Sequence, residues 1–337
     1  MDSIDLHDPH WFPVDLSVRE RRYAFLRLDE SVVEASSFLD TRIGAPLSHA
    51  VPCPVEAADD LPVSPRVGWL LHTSYCGSTL LARVLHTPPY NTCLREPLVL
   101  RRLGDARHES QQIDRVTGPT IALLSRPWHA GGSVVIKPTH AALNAATQMM
   151  SAAPGSRALL LTSSLDDFLV SNLKKSAESQ AKIPQLAERA VQASRFDLLL
   201  PATAFDPPDM LCAAVIQWAA QRELARQIAA EVGSERFRVA DMSMLLSDLQ
   251  ATALAAARWL QLDIPETELR SRCMLEGGRN AKATDAAYSA AQRAEDARFL
   301  ERRFGAAIAR AKEWAERHIL PHMHPQAIDA ASTWTMT

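Results

Sequence analysis

The sequence predicts a three-layer α/β protein, a parallel β-sheet flanked by helices and preceded by a helical N-terminal extension. Three observations predict it. Short apolar and β-branched runs, RVGWLLH at 66–72, SVVIK at 133–137, RALLLT at 157–162 and RFRVA at 236–240, read as strands buried on both faces. Helical stretches fill the gaps, and alternating strands and helices are how parallel strands are joined, through right-handed crossovers. The first run ends in a tight polar loop, Thr73–Gly77, that opens into a helix at Ser78 or Thr79. A helix start there offers unpaired N–H groups and the positive end of its dipole, a ready place for an anion.

The composition of the 337-residue chain, 47% hydrophobic and 22% charged, is that of a globular protein able to bury one large α/β core. A net charge of −3 argues against a general nucleic-acid-binding surface. No apolar run reaches the ~18 residues of a membrane span. The N-terminal stretch MDSIDLHDPHWFP lacks the basic and apolar regions of a signal peptide. The five cysteines, Cys53, Cys76, Cys93, Cys212 and Cys273, form no CxxC pair and read as free thiols in a reducing cytoplasm. Of six lysines none precedes Lys137, which singles that residue out.

Residues 1–64 are expected to form one or two helices (Val18, Tyr23, Phe25, Leu26, then Val32, Val33, Phe38, Leu39) and a Pro-rich connector, APLSHAVPCPVEAADDLPVSP. The main domain spans 65–320, and 321–337 reads as a frayed tail. Within the domain, a strand at Val67–His72 leads through the loop and its helix to a second strand ending at Arg95-Glu96-Pro97. Residues 98–130 read as helical with a polar excursion at GDARHESQQ. After SVVIK, AALNAATQMMSAAP is a helix stopped by Pro154. RALLLT is followed by SSLDDFLVSNLKK, a helix that Ser163 or Ser164 can cap, with Asp166 and Asp167 in its first turn. Residues 176–234 are mostly helical. RFRVA ends at Asp241, LSDLQATALAAARWLQL is a helix, EGGRNAKATDAAYS is a Gly-led basic stretch, and AQRAEDARFLERRFGAAIARAKEWAERHI closes the fold.

The loop is not a Walker A motif, which needs GxxxxGK[ST]. It has no lysine, but Thr73, Ser78 and Thr79 surround Gly77, and backbone N–H groups can cradle a phosphate. Ser74-Tyr75-Cys76-Gly77-Ser78-Thr79-Leu80 resembles the 5′-phosphosulfate loop of sulfotransferases, P-[KR]-S-G-T-[TS]-[LW]. Leu94-Arg95-Glu96-Pro97 is similar to the Glu-containing turn of the tyrosylprotein type. Lys137-Pro138-Thr139-His140 is similar to the Lys-Thr-His segment of cytosolic members, with the histidine displaced by one position. LLLTSSLDDFLVS matches the frame of the family's 3′-phosphate segment, with Asp167 and Ser171 in place. RFRVADMSMLL and GGRNAK fall where the family has an acidic turn and a Gly/basic loop. The resemblance covers about residues 66–285. In it, Tyr75 stands where the loop usually has Lys or Arg, Cys76 where it has Ser, and Ser163 where the 3′-phosphate segment has Arg.

The resemblance implies a P-loop-type fold and transfer of sulfonate from 3′-phosphoadenosine-5′-phosphosulfate (PAPS) to a hydroxyl or amine of a small-molecule or peptide acceptor, without a metal. It implies that Ser74, Tyr75, Cys76, Gly77, Ser78 and Thr79 hold the 5′-phosphosulfate, and that Ser163, Ser171, Arg279 and Lys282 hold the 3′-phosphate. Glu96 is its base, with His140 the competitor because imidazole titrates near neutrality. Lys137 would face the bridging oxygen.

Plainer readings stand beside these. Glu96 could pair with Arg95, Arg101 or Arg102. Lys137 could be a snorkelling strand-end lysine. His140 could sit at a helix start, Ser163 and Ser171 could cap or pack, and Arg279 and Lys282 could lie in a solvated loop. The histidine groups His7/His10 and His318/His322/His324 lack carboxylate or thiolate partners at ligand spacing and read as incidental. Two other functions fit the same loop: a kinase-like phosphotransferase using ATP or GTP, and a non-enzymatic nucleotide-binding protein. The acceptor pocket would draw on residues 98–130, 176–210 and the N-terminal segment; neither the acceptor nor the oligomeric state has a signature in the sequence.

Overall fold

The computed structural model describes residues 4–280, 283–287 and 290–328, and it builds the N-terminal segment from strands rather than helices. Strands β1 (Trp11–Ser17) and β2 (Arg22–Arg27) form an antiparallel pair. After α1 (Glu30–Ala35), β3 (Val51–Pro54) adds to the free edge of β2. The expected helical extension is therefore corrected to a three-stranded sheet with one short helix. Phe12, Val14 and Leu16, then Tyr23 and Phe25, alternate at the period of a strand, and all five are buried. Pro52 and Pro54 are tolerated because β3 is an edge strand. This sheet shares a hydrophobic cluster with the main domain, and Tyr23 Oη lies 2.8 Å from Thr120 Oγ1.

The main domain follows as β4 (Val67–His72), α2 (Ser78–Leu85), β5 (Asn91–Arg95), α3 (Leu98–His108), α4 (Asp114–Ser125), β6 (Ser133–Lys137), α5 (Ala146–Ala152) and β7 (Arg157–Thr162). Next come α6 (Leu165–Leu173), α7 (Ala177–Gln180), α8 (Ile183–Ser194), α9 (Met210–Val232), β8 (Phe237–Asp241), α10 (Met242–Ser247), α11 (Leu249–Trp259) and α12 (Glu266–Gly277). A short ribbon, β9 (Arg279–Asn280) with β10 (Ala283–Ala287), precedes the long α13 (Ala290–His318) and α14 (Pro325–Ile328). Strands β4 to β8 form one parallel sheet in the order β5-β6-β4-β7-β8. This is the α/β sheet flanked by helices that the sequence predicts. Trp69, Leu71, Val134, Ile136 and Leu160 face a cluster with α3, α4 and α5. Leu70, Val135, Leu159 and Leu161 face the opposite cluster with α2, α11 and α12. From β4 the chain builds the sheet first on one side and then on the other. The carboxyl end of β4 is thus the switch point at which such sheets place their ligands.

The tail is less frayed than expected. Buried Arg222 on α9 donates from Nε to the Ala327 carbonyl and from Nη2 to the Ile328 carbonyl, both at 2.7 Å, and so ties α14 down. Residues 329–337 lie outside the described part.

Arg95, which ends β5, is 1% exposed and ties the end of α1 to the parallel sheet. Its Nε and Nη2 donate to the Ser36 carbonyl at 3.1 and 2.8 Å, and Nη2 also reaches the carbonyls of Val33 and Glu34. Replacing Arg95 with Met strands several buried carbonyls, so a loss of about 3 kcal/mol is expected in urea unfolding. A loss below about 1 kcal/mol would show that water takes over these bonds.

Candidate active site

The β4–α2 loop is held open by two left-handed residues, Tyr75 (φ 60) and Gly77 (φ 74). Gly77 caps α2, and a Cβ there would stand 2.9 Å from Leu245 Cδ2, so only glycine fits both the space and the angle. The amides of Tyr75, Gly77, Ser78 and Thr79, and the Ser78 and Thr79 hydroxyls, meet no hydrogen-bond partner among the described residues. Together they form a concave set of donors at the positive end of α2. Two other loop residues are already engaged. The Ser74 amide donates to Gln221 Oε1 at 3.0 Å, and Ser74 Oγ accepts from Gln221 Nε2 at 3.1 Å. Cys76 Sγ donates to the Thr73 carbonyl at 3.2 Å.

Tyr75 turns away from the cradle. Its ring packs against Phe168 on α6, with centroids 5.4 Å apart, and Lys175 Nζ stands 4.7 Å from the ring centroid. A cation therefore does lie at this end of the loop, but the turn that follows α6, and not the loop itself, brings it there.

Beside the cradle, the parallel register brings Glu96, Lys137 and His72 to the carboxyl ends of adjacent strands. Lys137 Nζ is fully buried and donates to Glu96 Oε1 at 2.6 Å and to His72 Nε2 at 3.1 Å. His72 Nδ1 donates to the Thr73 carbonyl at 2.9 Å, which leaves Nε2 as the acceptor. The expected arginine partners of Glu96 are thus replaced by Lys137. Burial alone would raise the Glu96 carboxyl, but the charge and hydrogen bond of Lys137 outweigh it, and the carboxyl is held at about 2. Burial and then Lys137 push His72 well below its ordinary range. The His140 ring stands 6.1 Å from that of His72. Burial brings His140 down to about 4, against the pull of Glu96, so it is neutral at working pH. Its Nε2 is sealed, without a hydrogen-bond partner, and the residue borders a cavity of about 30 Å³ shared with Gln221, room for a water.

The segment after β7 departs more from expectation. Ser164, not Ser163, caps α6, accepting from the Asp167 amide at 3.1 Å. Ser163 is fully buried and its hydroxyl has no partner. Its carbonyl accepts from Trp218 Nε1 at 3.0 Å and Arg222 Nη1 at 3.2 Å. Ser171 lies half-buried on α6. Arg279 belongs to β9, and Lys282 lies outside the described residues.

His72, Gln217, Gln221 and Lys175 are absent from the sequence-based candidates. A histidine closing an otherwise apolar strand was the available signal for His72. The two glutamines lie on an almost fully buried helix, where buried amides need partners.

These shifts set a pH dependence. Glu96 has a depressed carboxyl, so its contribution, on the order of 3 kcal/mol, is present above its ordinary value of 4.5 and is lost toward pH 2. His72 and His140 are held neutral below 6.5, so the unfolded chain takes up their protons first. Stability should therefore begin to fall below about pH 6.5, before any carboxylate titrates. Urea midpoints that stay level down to about pH 5 would contradict the burial of both rings.

No protein-family model and no curated protein sequence matches this chain. Among solved structures it is similar to a sulfotransferase from Alicyclobacillus acidocaldarius, with 13% identity and a TM-score of 0.39 over 77% of this chain and 98% of that one. It is also similar to the sulfotransferase domain of the curacin biosynthetic pathway, with 13% identity and a TM-score of 0.40 over 80% of this chain and 98% of that one. Likeness of this degree carries no argument about activity.

Proposed function

We propose that the chain is a sulfotransferase-like enzyme that moves sulfonate from PAPS to a hydroxyl or amine acceptor. The observation that carries this reading is the meeting, at the carboxyl edge of β4, of an unsatisfied N–H cradle with a buried lysine–carboxylate pair. The cradle suits a 5′-phosphosulfate: four free amides and two hydroxyls converge with no acidic side chain in the loop. The 3′-phosphate side fits less completely, because the Ser163 hydroxyl is enclosed and Ser171 is only partly open.

The donor supplies the sulfonate: a sulfur–oxygen bond forms to the acceptor as the bridge to phosphate breaks, and that electron pair leaves with the phosphate. The α2 amides and hydroxyls hold the anionic end and counter its charge. Lys137 is an ammonium fixed on two sides by Glu96 and His72, available for the bridging oxygen as charge builds there. Glu96 Oε1 is engaged by Lys137, and Oε2 is the atom left to accept the acceptor's proton. A carboxylate held at about 2 takes that proton only late, as the acceptor oxygen loses its electron density. His140, the competing base in the sequence reading, keeps its Nε2 enclosed and so suits that role less well than Glu96.

Adenosine 3′,5′-bisphosphate without magnesium should raise the melting temperature of the protein by several degrees at saturation. Folded protein with no shift would remove the reading. Stabilisation by ATP that depends on Mg²⁺ would replace it with phosphotransfer.

A further inference from the structure

Glu96 is held by Lys137 at both ends. Its amide donates to the Lys137 carbonyl at 2.6 Å, and its Oε1 accepts from Lys137 Nζ at the same distance. Between these contacts its backbone is left-handed, with φ 54. A residue bearing a Cβ keeps that angle only where its surroundings over-determine it, and such strain gathers where a side chain has to be aimed. The carboxylate is 15% exposed, and its Oε2 has no hydrogen-bond partner among the described residues.

The aim of that carboxylate depends on what holds Lys137. A lysine head rides on a flexible four-carbon stem, and a single acceptor lets it pivot about the contact. His72 Nε2 is the second acceptor, at 3.1 Å, and it stands 3.7 Å from Glu96 Oε1. The imidazole is itself fixed. Its Nδ1 donates to the Thr73 carbonyl at 2.9 Å, and the Thr73 amide donates to the Leu161 carbonyl of β7, also at 2.9 Å. A carbonyl only accepts, so Nδ1 carries the ring proton and Nε2 offers its lone pair. The residue is 6% exposed, and both ring nitrogens are engaged. His72 ends β4, Lys137 ends β6 and Glu96 follows β5. Three hydrogen bonds thus stitch the ends of three neighbouring strands to the root of the anion cradle.

We infer that His72 is a positioning residue: by accepting from Lys137 while its other nitrogen is anchored on Thr73, it sets where the Glu96 carboxylate stands relative to an anion in the cradle. It touches neither donor nor acceptor and acts through Lys137. The inference rests on the sulfotransferase reading for the chemistry that Glu96 performs, but the positioning can be read without turnover.

Two substitutions divide the functions of the ring. His72→Asn keeps a donor near the place of Nδ1 and stops short of Lys137, whereas His72→Gln puts an amide oxygen near the place of Nε2. Both variants should bind adenosine 3′,5′-bisphosphate within about threefold of the parent, because the cradle amides are untouched. Release of the bisphosphate from PAPS, with water taking the sulfonate, should slow by about tenfold or more in His72→Asn and by no more than about threefold in His72→Gln. Nitrogen NMR of the parent imidazole should show Nδ1 protonated and Nε2 bare. Equal slowing in the two variants, or slowing matched by lost affinity, would overturn the inference, and so would an imidazole protonated on Nε2. Crystal structures decide the positioning whatever the turnover: Glu96 Oε2 should be displaced in His72→Asn and in place in His72→Gln, and a carboxylate unmoved in His72→Asn would refute it. A folded parent that binds no bisphosphate would sink the sulfotransferase reading alone.

Discussion

Replacing Lys137 with Met should abolish the proposed sulfonate transfer and also destabilise the protein by about 3–5 kcal/mol, the cost of leaving one member of a buried ion pair alone. Both losses come from a single geometry. Lys137 is fully buried, and among the described residues Glu96 at 2.6 Å is the carboxylate that balances its charge, while the His72 ring accepts from it at 3.1 Å. Removing it leaves the Glu96 carboxylate, itself only 15% exposed, facing a neutral histidine. Glu96→Gln should cost a similar amount for the opposite reason. The double variant Glu96→Gln/Lys137→Met removes both charges, so it should recover part of the stability but none of the activity. Urea unfolding of the four proteins measures the coupling. If the two single losses simply add, the pair is not coupled in the way its geometry demands.

Gly77→Asp should eliminate the stabilisation by adenosine 3′,5′-bisphosphate, with affinity falling by roughly 10²-fold or more, as when donors to a developing anion are removed. The residue lies at φ 74 at the head of α2, among the unpaired amides. A carboxylate there would satisfy those amides itself and repel a phosphate. Gly77→Ala separates strain from charge. Its Cβ meets Leu245 and its backbone is held left-handed, which costs about 1–3 kcal/mol, yet it adds no charge. It should therefore bind the bisphosphate more weakly than the parent but more tightly than Gly77→Asp. Equal binding by the aspartate variant and the parent would place the anion elsewhere.

The central strands were readable because burial on both faces demands unbroken apolar runs. Val67–His72, Ser133–Lys137 and Arg157–Thr162 form with the expected bounds. The N-terminal sheet was not, because Val18, Tyr23, Phe25 and Leu26 fit both a helical stripe and an alternating strand, and pairing across the sheet decides between them. Within the site, the loop and Lys137 stood out by composition. That Lys137 would pair with Glu96 depends on β5 lying beside β6 in register, Arg95 opposite Lys137, and no local pattern states which strands are neighbours. His72 and Gln221 were hidden for the same reason, since each acquires its role from a partner distant in sequence.

The two glutamines that grip Ser74 give the loop a property beyond shape. Gln217 and Gln221 project from a long buried helix and hold the first turn of the cradle from behind, Gln221 through both the amide and the hydroxyl of Ser74. The entropy of ordering that stretch is thus charged to folding and not to binding. An arriving anion meets a mould already set, and the free energy of its contacts goes into affinity. Discrimination should then be abrupt: an anion too wide for the mould is refused outright, because the backbone behind it has nowhere to yield.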